Sequence, residues 1–235
     1  YGIGDAFYNA GTFDRAARAY QQVLKRYPDS KTATEAASSL FFALNAAGDS
    51  GRAEAVVDSF EAANPDSDLV GQLRFRRAEA AYQSGDRDDA LRLFRSFTRT
   101  SSNDALLPQA YYYLGIIYAD RGVTEEARTY LQQLVDTYPD SRRRPEAALR
   151  LGDLNLEADN HEAALTAYRT AAESDGNGAE LQAQARYGQS RALLELGRGH
   201  ASEDLLRRLL DATRPRPPLA SARLGLGPLL LAPGG

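Results

Sequence analysis

The sequence predicts an all-α fold, a solenoid of about six stacked helix hairpins. The first observation is the stretch at 111–141, YYYLGIIYADRGVTEEARTYLQQLVDTYPDS. Leu114, Ile117 and Tyr118 share one helical face there, and Ala127, Tyr130, Leu131 and Leu134 share another after a turn at Arg121 and Gly122. The second is recurrence: the turn residue returns as Gly11, Gly48, Gly85, Gly122, Asp159 and Gly197, at steps of 37 residues and a last step of 38. The third is that residue size recurs in the second helix. A small residue follows each turn (Ala16, Ala53, Ala90, Ala127, Ala164, Ser202), and then a larger one (Tyr20, Val57, Phe94, Leu131, Tyr168, Leu206). One hairpin cannot bury its apolar face alone, so the copies must stack.

The first repeat, residues 1–30, opens inside its first helix, with Ile3, Gly4 and Phe7 where the fourth has Leu114, Gly115 and Tyr118. Pro28 stops its second helix, because proline lacks the N–H needed to continue. The second, 31–67, puts Phe41 at the first-helix glycine position and closes on Asn64, Pro65, Asp66 and Ser67. The third, 68–104, keeps Ala78 there and closes on capping residues, with Ser102 in place of the proline. The fourth, 105–141, takes Pro108 into a first turn, where its missing N–H is tolerated. Gly115 and Ala127 let its helices approach closely. Tyr138 and Pro139 end the second helix, leaving Asp140 and Ser141 to cap the next one. The fifth, 142–178, has Leu151 and Gly152 in register, a turn at Ala158, Asp159 and Asn160, and Gly176 near its close. The sixth, 179–213, is the most degenerate, as befits an end repeat that meets water. The array therefore reads as residues 1–212. No acid occurs after Asp211, and 213–235 is a Pro/Gly-rich tail expected to be disordered or non-native.

Glycine and tyrosine before a glycine turn, alanine five residues after it, then leucine and a closing proline resemble the tetratricopeptide repeat. The resemblance implies a right-handed superhelix of antiparallel hairpins whose first helices line a concave groove. The period of 37 is longer than the usual 34, which the helices or linkers must absorb.

The chain of 235 residues is 43% hydrophobic and 26% charged, with a net charge of −4. That is apolar enough for an elongated core shared between repeats. Mild acidity argues against a nucleic-acid partner, which normally needs a basic stripe to neutralise phosphates. With no cysteine, disulfides, thiolate metal sites and thiol nucleophiles are all excluded. Absent methionine, even at position 1, makes the chain read as a processed protein or a fragment. No transmembrane span is expected, since the longest apolar run, at 224–232, is short and broken by Gly and Pro.

Candidate chemistry is sparse. His161 and Glu162 open like a zinc-protease helix, but Leu165 stands where the second histidine is required. His200 has no partner residue in the pattern either. Residues 175–178 lack the alternating acids of a calcium loop. Gly2 with Gly4, and Gly225 with Gly227, lack the third glycine of a dinucleotide loop. Glu125 with Glu126 and Asp88 with Asp89 sit in first turns, where they complement the helix dipole. No nucleophile–base set is found, so no enzyme, cofactor or metal is expected. Arg142, Arg143 and Arg144 form the one basic run, a candidate docking patch.

What remains is a surface. Carried over by register, the tetratricopeptide groove would be lined by Asp5 and Tyr8; by Ser38, Phe42 and Asn45; and by Phe75, Glu79 and Tyr82. The later repeats add Tyr112, Ile116 and Ala119, then Leu149, Asp153 and Leu156. Exposed aromatics in a groove point to a partner, whereas packing against the neighbouring repeat is the alternative for Phe75 and Tyr112. The expected function is a non-enzymatic scaffold that binds a protein or peptide in this groove. An alternative is the regulatory arm of a larger enzyme or signalling protein. Tyr-Pro-Asp-Ser at 27–30 and 138–141, Asn-Pro-Asp-Ser at 64–67 and Lys-Thr-Ala-Thr-Glu-Ala-Ala from 31 resemble bacterial envelope tetratricopeptide proteins. The types resembled are the periplasmic Tol–Pal-associated coordinator and the outer-membrane barrel-assembly lipoprotein. They imply a periplasmic or outer-membrane-associated setting, with the cytoplasm as the alternative. Neither the partner nor the oligomeric state is readable from the residues.

Overall fold

A computed structural model of the chain describes residues 1–28, 30–64, 68–101, 105–173 and 178–212. Among them are twelve α-helices and no strand. They run as six hairpins: α1 (Gly2–Asn9) with α2 (Phe13–Arg26), α3 (Lys31–Ala46) with α4 (Ser50–Ala63), and α5 (Asp68–Gln83) with α6 (Arg87–Thr100). Then come α7 (Leu107–Asp120) with α8 (Thr124–Thr137), α9 (Arg144–Glu157) with α10 (His161–Glu173), and α11 (Ala179–Glu195) with α12 (Gly199–Ala212). The chain packs as two compact units that divide within α7, after Ala110. Pro65, Ser102, Gly176 and the tail at 213–235 lie outside the described residues.

One turn closes every hairpin. Gly11, Gly48, Gly85, Gly122, Asp159 and Gly197 all take positive φ, between 58° and 87°. In five hairpins the next residue's N–H reaches back five residues to a helix carbonyl: Thr12 to Phe7, Asp49 to Leu44, Val123 to Tyr118, Asn160 to Asn155 and Arg198 to Leu193. This bonding satisfies carbonyls that the helix end leaves free. Asp159, at φ 58°, is the one non-glycine among the described residues at positive φ. Asp159→Gly should therefore stabilise the chain by about 0.5–1 kcal/mol, the strain relieved less glycine's greater freedom when unfolded. A urea midpoint that fails to rise would show that Asp159 is not strained.

Helix starts follow local chemistry. Ser30, Asp49 and Asp86 side chains accept from the N–H groups of Ala33, Arg52 and Asp89 at 3.1, 3.2 and 3.0 Å. Asp140 and Ser141 do not cap α9: Ser141 Oγ accepts the Arg143 N–H within the preceding turn, and α9 begins at Arg144 without a side-chain cap.

The hairpins' inner crossings trade volume. The small second-helix residues are all buried, as are their larger partners. Sixteen residues before each larger partner lies a first-helix residue of complementary size: Gly4 with Tyr20, Phe41 with Val57, Ala78 with Phe94, Gly115 with Leu131, Gly152 with Tyr168, and Ser190 with Leu206. A Cβ at Gly115 would stand 2.5 Å from the Leu131 side chain, and one at Gly152 would stand 2.6 Å from the Tyr168 ring. Interiors close-packed in this way leave no room for both members to be large. In the last hairpin Ser190 and Ser202 bond each other through their buried hydroxyls at 2.9 Å. The first unit's core includes Ala16, Tyr20, Leu40, Phe41, Leu44, Val57 and Leu73. In the second unit, Leu131, Leu134, Leu151 and Leu154 form one cluster and Leu165, Tyr168 and Leu193 another. Between α4 and α5 charge supplements packing: Arg77 pairs with Asp58 at 2.8 Å and Glu54 at 3.3 Å, and Arg74 pairs with Glu61.

Candidate partner-binding site

In the first unit, α1 and α3 bring several expected groove residues together. Asp5, Tyr8 and Asn9 from α1, Ser39 and Phe42 from α3, and Tyr20 from α2 line a pocket of about 310 Å3. Asp5 accepts the Tyr20 hydroxyl hydrogen at 2.7 Å, which fixes one carboxylate oxygen at the pocket wall. The Tyr20 phenol is pushed well above its usual range, first by burial and then by Asp5. Tyr8 packs edge-on against Phe13, with centroids 5.3 Å apart. Phe42 remains 37% exposed, so part of its ring faces water beside the pocket. The Arg76 guanidinium of α5 lies over the Phe42 ring, 5.8 Å from its centroid, and pairs with Glu79 at 2.6 Å. Asn45 Nδ2 donates to the Phe41 carbonyl at 3.1 Å. Tyr82 is covered by Arg87, whose guanidinium sits 3.7 Å from its ring centroid.

Phe75 is placed otherwise than the groove register implies. Its ring is wholly buried, edge-on to Phe94 at 5.7 Å and Phe97 at 5.6 Å, so it is core in the free chain. Leu156 is likewise buried, in the cluster around Tyr168.

In the second unit the expected positions are engaged with their own neighbours. Tyr112 is half-buried beneath Arg143, whose guanidinium stands 4.9 Å from the ring centroid and pairs with Glu146 at 2.5 Å. Ile116 is half-buried, and Leu149 packs against both hydrophobic clusters. Asp153 accepts the Tyr168 hydroxyl hydrogen at 2.8 Å. Burial pushes the Asp153 carboxyl above the usual carboxylate range, against the pull of that hydroxyl and of nearby arginines. A folded pKa above the unfolded one means that the fold binds the proton more tightly. The cost of the buried charge is thus present at neutral pH and fades as pH falls through the raised value. Asp153→Asn, which keeps an acceptor for Tyr168, should melt above the parent at about pH 7, with the gap closing near pH 4. A gap of equal size at both pH values would refute this.

Of the basic run only Arg142 is exposed, since Arg143 covers Tyr112 and Arg144 Nε donates to the Val135 carbonyl at 3.0 Å. Leu165, at the place of the missing zinc histidine, is buried core. Among the described residues no cluster of metal-ligating side chains occurs, and no helix is long and apolar enough to cross a membrane.

One feature was not anticipated from the sequence. A cleft of about 640 Å3 opens between α2 and α4 over α3, with Leu24, Ala37, Val56, Phe60 and Asn64 in its lining. Two repeats later, Ala37, Val56 and Asn64 become Tyr111, Tyr130 and Tyr138, and there Tyr111 lies against Tyr130 at 6.3 Å and Tyr138 at 6.1 Å. Comparing residue size across copies was the signal that could have found it.

Residues 1–175 match the model of the YfiO family, described as outer membrane lipoprotein, and 149–217 match a tetratricopeptide-repeat model. A search of curated proteins found no match. Among solved structures the chain is similar to BtubC from P. vanneervenii, with a TM-score of 0.62 at 16% identity over 88% of this chain and 92% of that one. It is also similar to pilF of Pseudomonas aeruginosa, at 0.58 and 15% over 95% and 93%. YrrB, a tetratricopeptide-repeat protein with an unusual peptide-binding site, gives 0.60 and 15% over 85% and 95%. At these identities the likeness concerns the tetratricopeptide fold.

Proposed function

The chain belongs to the YfiO family of outer membrane lipoproteins, and we propose that it is a non-enzymatic scaffold in the bacterial cell envelope. It would hold a protein or peptide partner on the face built by the first helices of its hairpins. The observation that carries this reading is the pocket between α1 and α3, where Phe42 stays exposed beside Tyr8, Asn9 and Asp5. Interface energy concentrates in a few aromatic side chains set in pockets, and Phe42 and Tyr8 fit that description. The family and the fold favour protein interaction over catalysis, and the family name favours a place at the outer membrane, on its periplasmic side.

The test is photo-crosslinking in intact envelopes, with the crosslinker at Asn9 on the pocket wall and, for comparison, at Ser59 on the second-helix side. A partner captured from Asn9 and not from Ser59 supports the reading. Phe42→Ala should weaken that partner's binding by about 2 kcal/mol. Stability should fall by about 1–2 kcal/mol, less than for a fully buried ring, because part of the ring is already in water. Capture from Ser59 alone would overturn the choice of face.

A further inference from the structure

Resting on that reading of the first-helix face, we propose that the pocket between α1 and α3 takes a cationic side chain, the guanidinium or ammonium of an arginine or lysine in the partner. The lining chemistry is one-sided. Asp5 supplies a carboxylate, Asn9 and Ser39 supply polar oxygens, Tyr8 and Phe42 supply ring surface, and no lysine or arginine lines the pocket. Carboxylate and aromatic rings both attract cations, the first by charge and the second through the negative face of the π-system. Tyr20 donates to Asp5 Oδ1, so the carboxylate is oriented by a bond within the chain before any ligand arrives. The Phe42 ring already accepts a guanidinium, that of Arg76 at 5.8 Å. The Arg76 charge does not oppose a second cation in full, because Glu79 holds it in an ion pair at 2.6 Å. A volume of about 310 Å3 suits one long side chain rather than a folded element. An anionic or purely apolar anchor would leave the carboxylate unanswered, at the cost of its desolvation.

The experiment titrates the full chain with acetyl-Gly-Arg-Gly-amide and with the same peptide carrying citrulline, which has nearly the shape of arginine but no charge. Amide NMR shifts at Asp5, Tyr8, Ser39 and Phe42 report binding. The arginine peptide should bind at least fivefold tighter than the citrulline peptide. Asp5→Asn, which keeps an acceptor for Tyr20, should erase that preference, and Phe42→Leu should weaken the arginine peptide at least threefold while the fold is retained. If Asp5→Asn unfolds α1, Phe42→Leu and the citrulline comparison still decide. Equal binding of the two peptides, or tighter binding of a glutamate counterpart, would overturn the proposal. If crosslinking from Asn9 finds a partner yet Asp5→Asn leaves its capture unchanged, the cation pocket falls and the scaffold reading stands. If the arginine preference holds and no partner is captured from Asn9, the scaffold reading falls instead.

Discussion

Phe75→Ala is expected to destabilise the chain by about 3–5 kcal/mol, the usual cost of emptying a buried aromatic site. The ring has no exposed surface, and Phe94 and Phe97 meet it edge-on at 5.7 and 5.6 Å. Removing it forfeits these aromatic contacts and leaves a void bounded by rings from α6, a helix whose backbone is tied by its own hydrogen bonds and cannot simply collapse inward. Partner affinity of the folded fraction should not move, which sets this variant apart from Phe42→Ala. Urea denaturation followed by circular dichroism reads the stability. A midpoint within experimental error of the parent would mean that the α5–α6 crossing is not packed as described. A selective loss of partner binding would return Phe75 to the interface.

The contrast between Phe75 and Tyr112 shows where reading the sequence stopped short. They occupy one register position, 37 residues apart, and periodicity gives both the same face. Their surroundings differ: Phe75 meets Phe94 and Phe97, whereas the corresponding fourth-repeat positions are Leu131 and Leu134. Tyr112 carries a hydroxyl as well and stays half-buried beneath Arg143. Repeat period, turns and small positions were legible because each rests on local geometry, a positive φ or a close crossing. Burial at a groove position depends on residues in other helices, which the period does not supply. Asp153 is a related case. Expected in the groove lining, it also belongs to a unit that recurs 148 residues apart as Gly4, Asp5, Tyr20 and Gly152, Asp153, Tyr168, with the same hydroxyl-to-carboxylate bond in both copies. That recurrence stood in the sequence and needed only a comparison of the first repeat with the fifth. Arg74 and Arg77 escape the periodic pattern for the opposite reason. Arginine at positions that are Ala37 and Leu40 one repeat earlier breaks the apolar pattern, and the acids that pair with it come from α4.

Tyr168→Ala should also cost about 3–5 kcal/mol, and its sharper consequence is for the glycine beside it. The Tyr168 ring is 1% exposed, and a Cβ on either Gly152 or Gly188 would run into it. Gly152→Ala therefore combines two opposed effects. Alanine in a helix interior gains about 1 kcal/mol over glycine. The added methyl would sit 2.6 Å from a ring held by its bond to Asp153 and by the second glycine, so the ring cannot swing away. Overpacking of that kind costs about 1–3 kcal/mol, so the net effect is expected to be a loss. In the Tyr168→Ala background the ring is gone and only the helix preference survives. There Gly152→Ala should raise stability by about 1 kcal/mol, reversing its sign. Four urea curves complete the cycle. A Gly152→Ala penalty of equal size in both backgrounds would show that the glycine answers to its own helix rather than to the tyrosine, and the reading of complementary volumes at each hairpin crossing would fail with it.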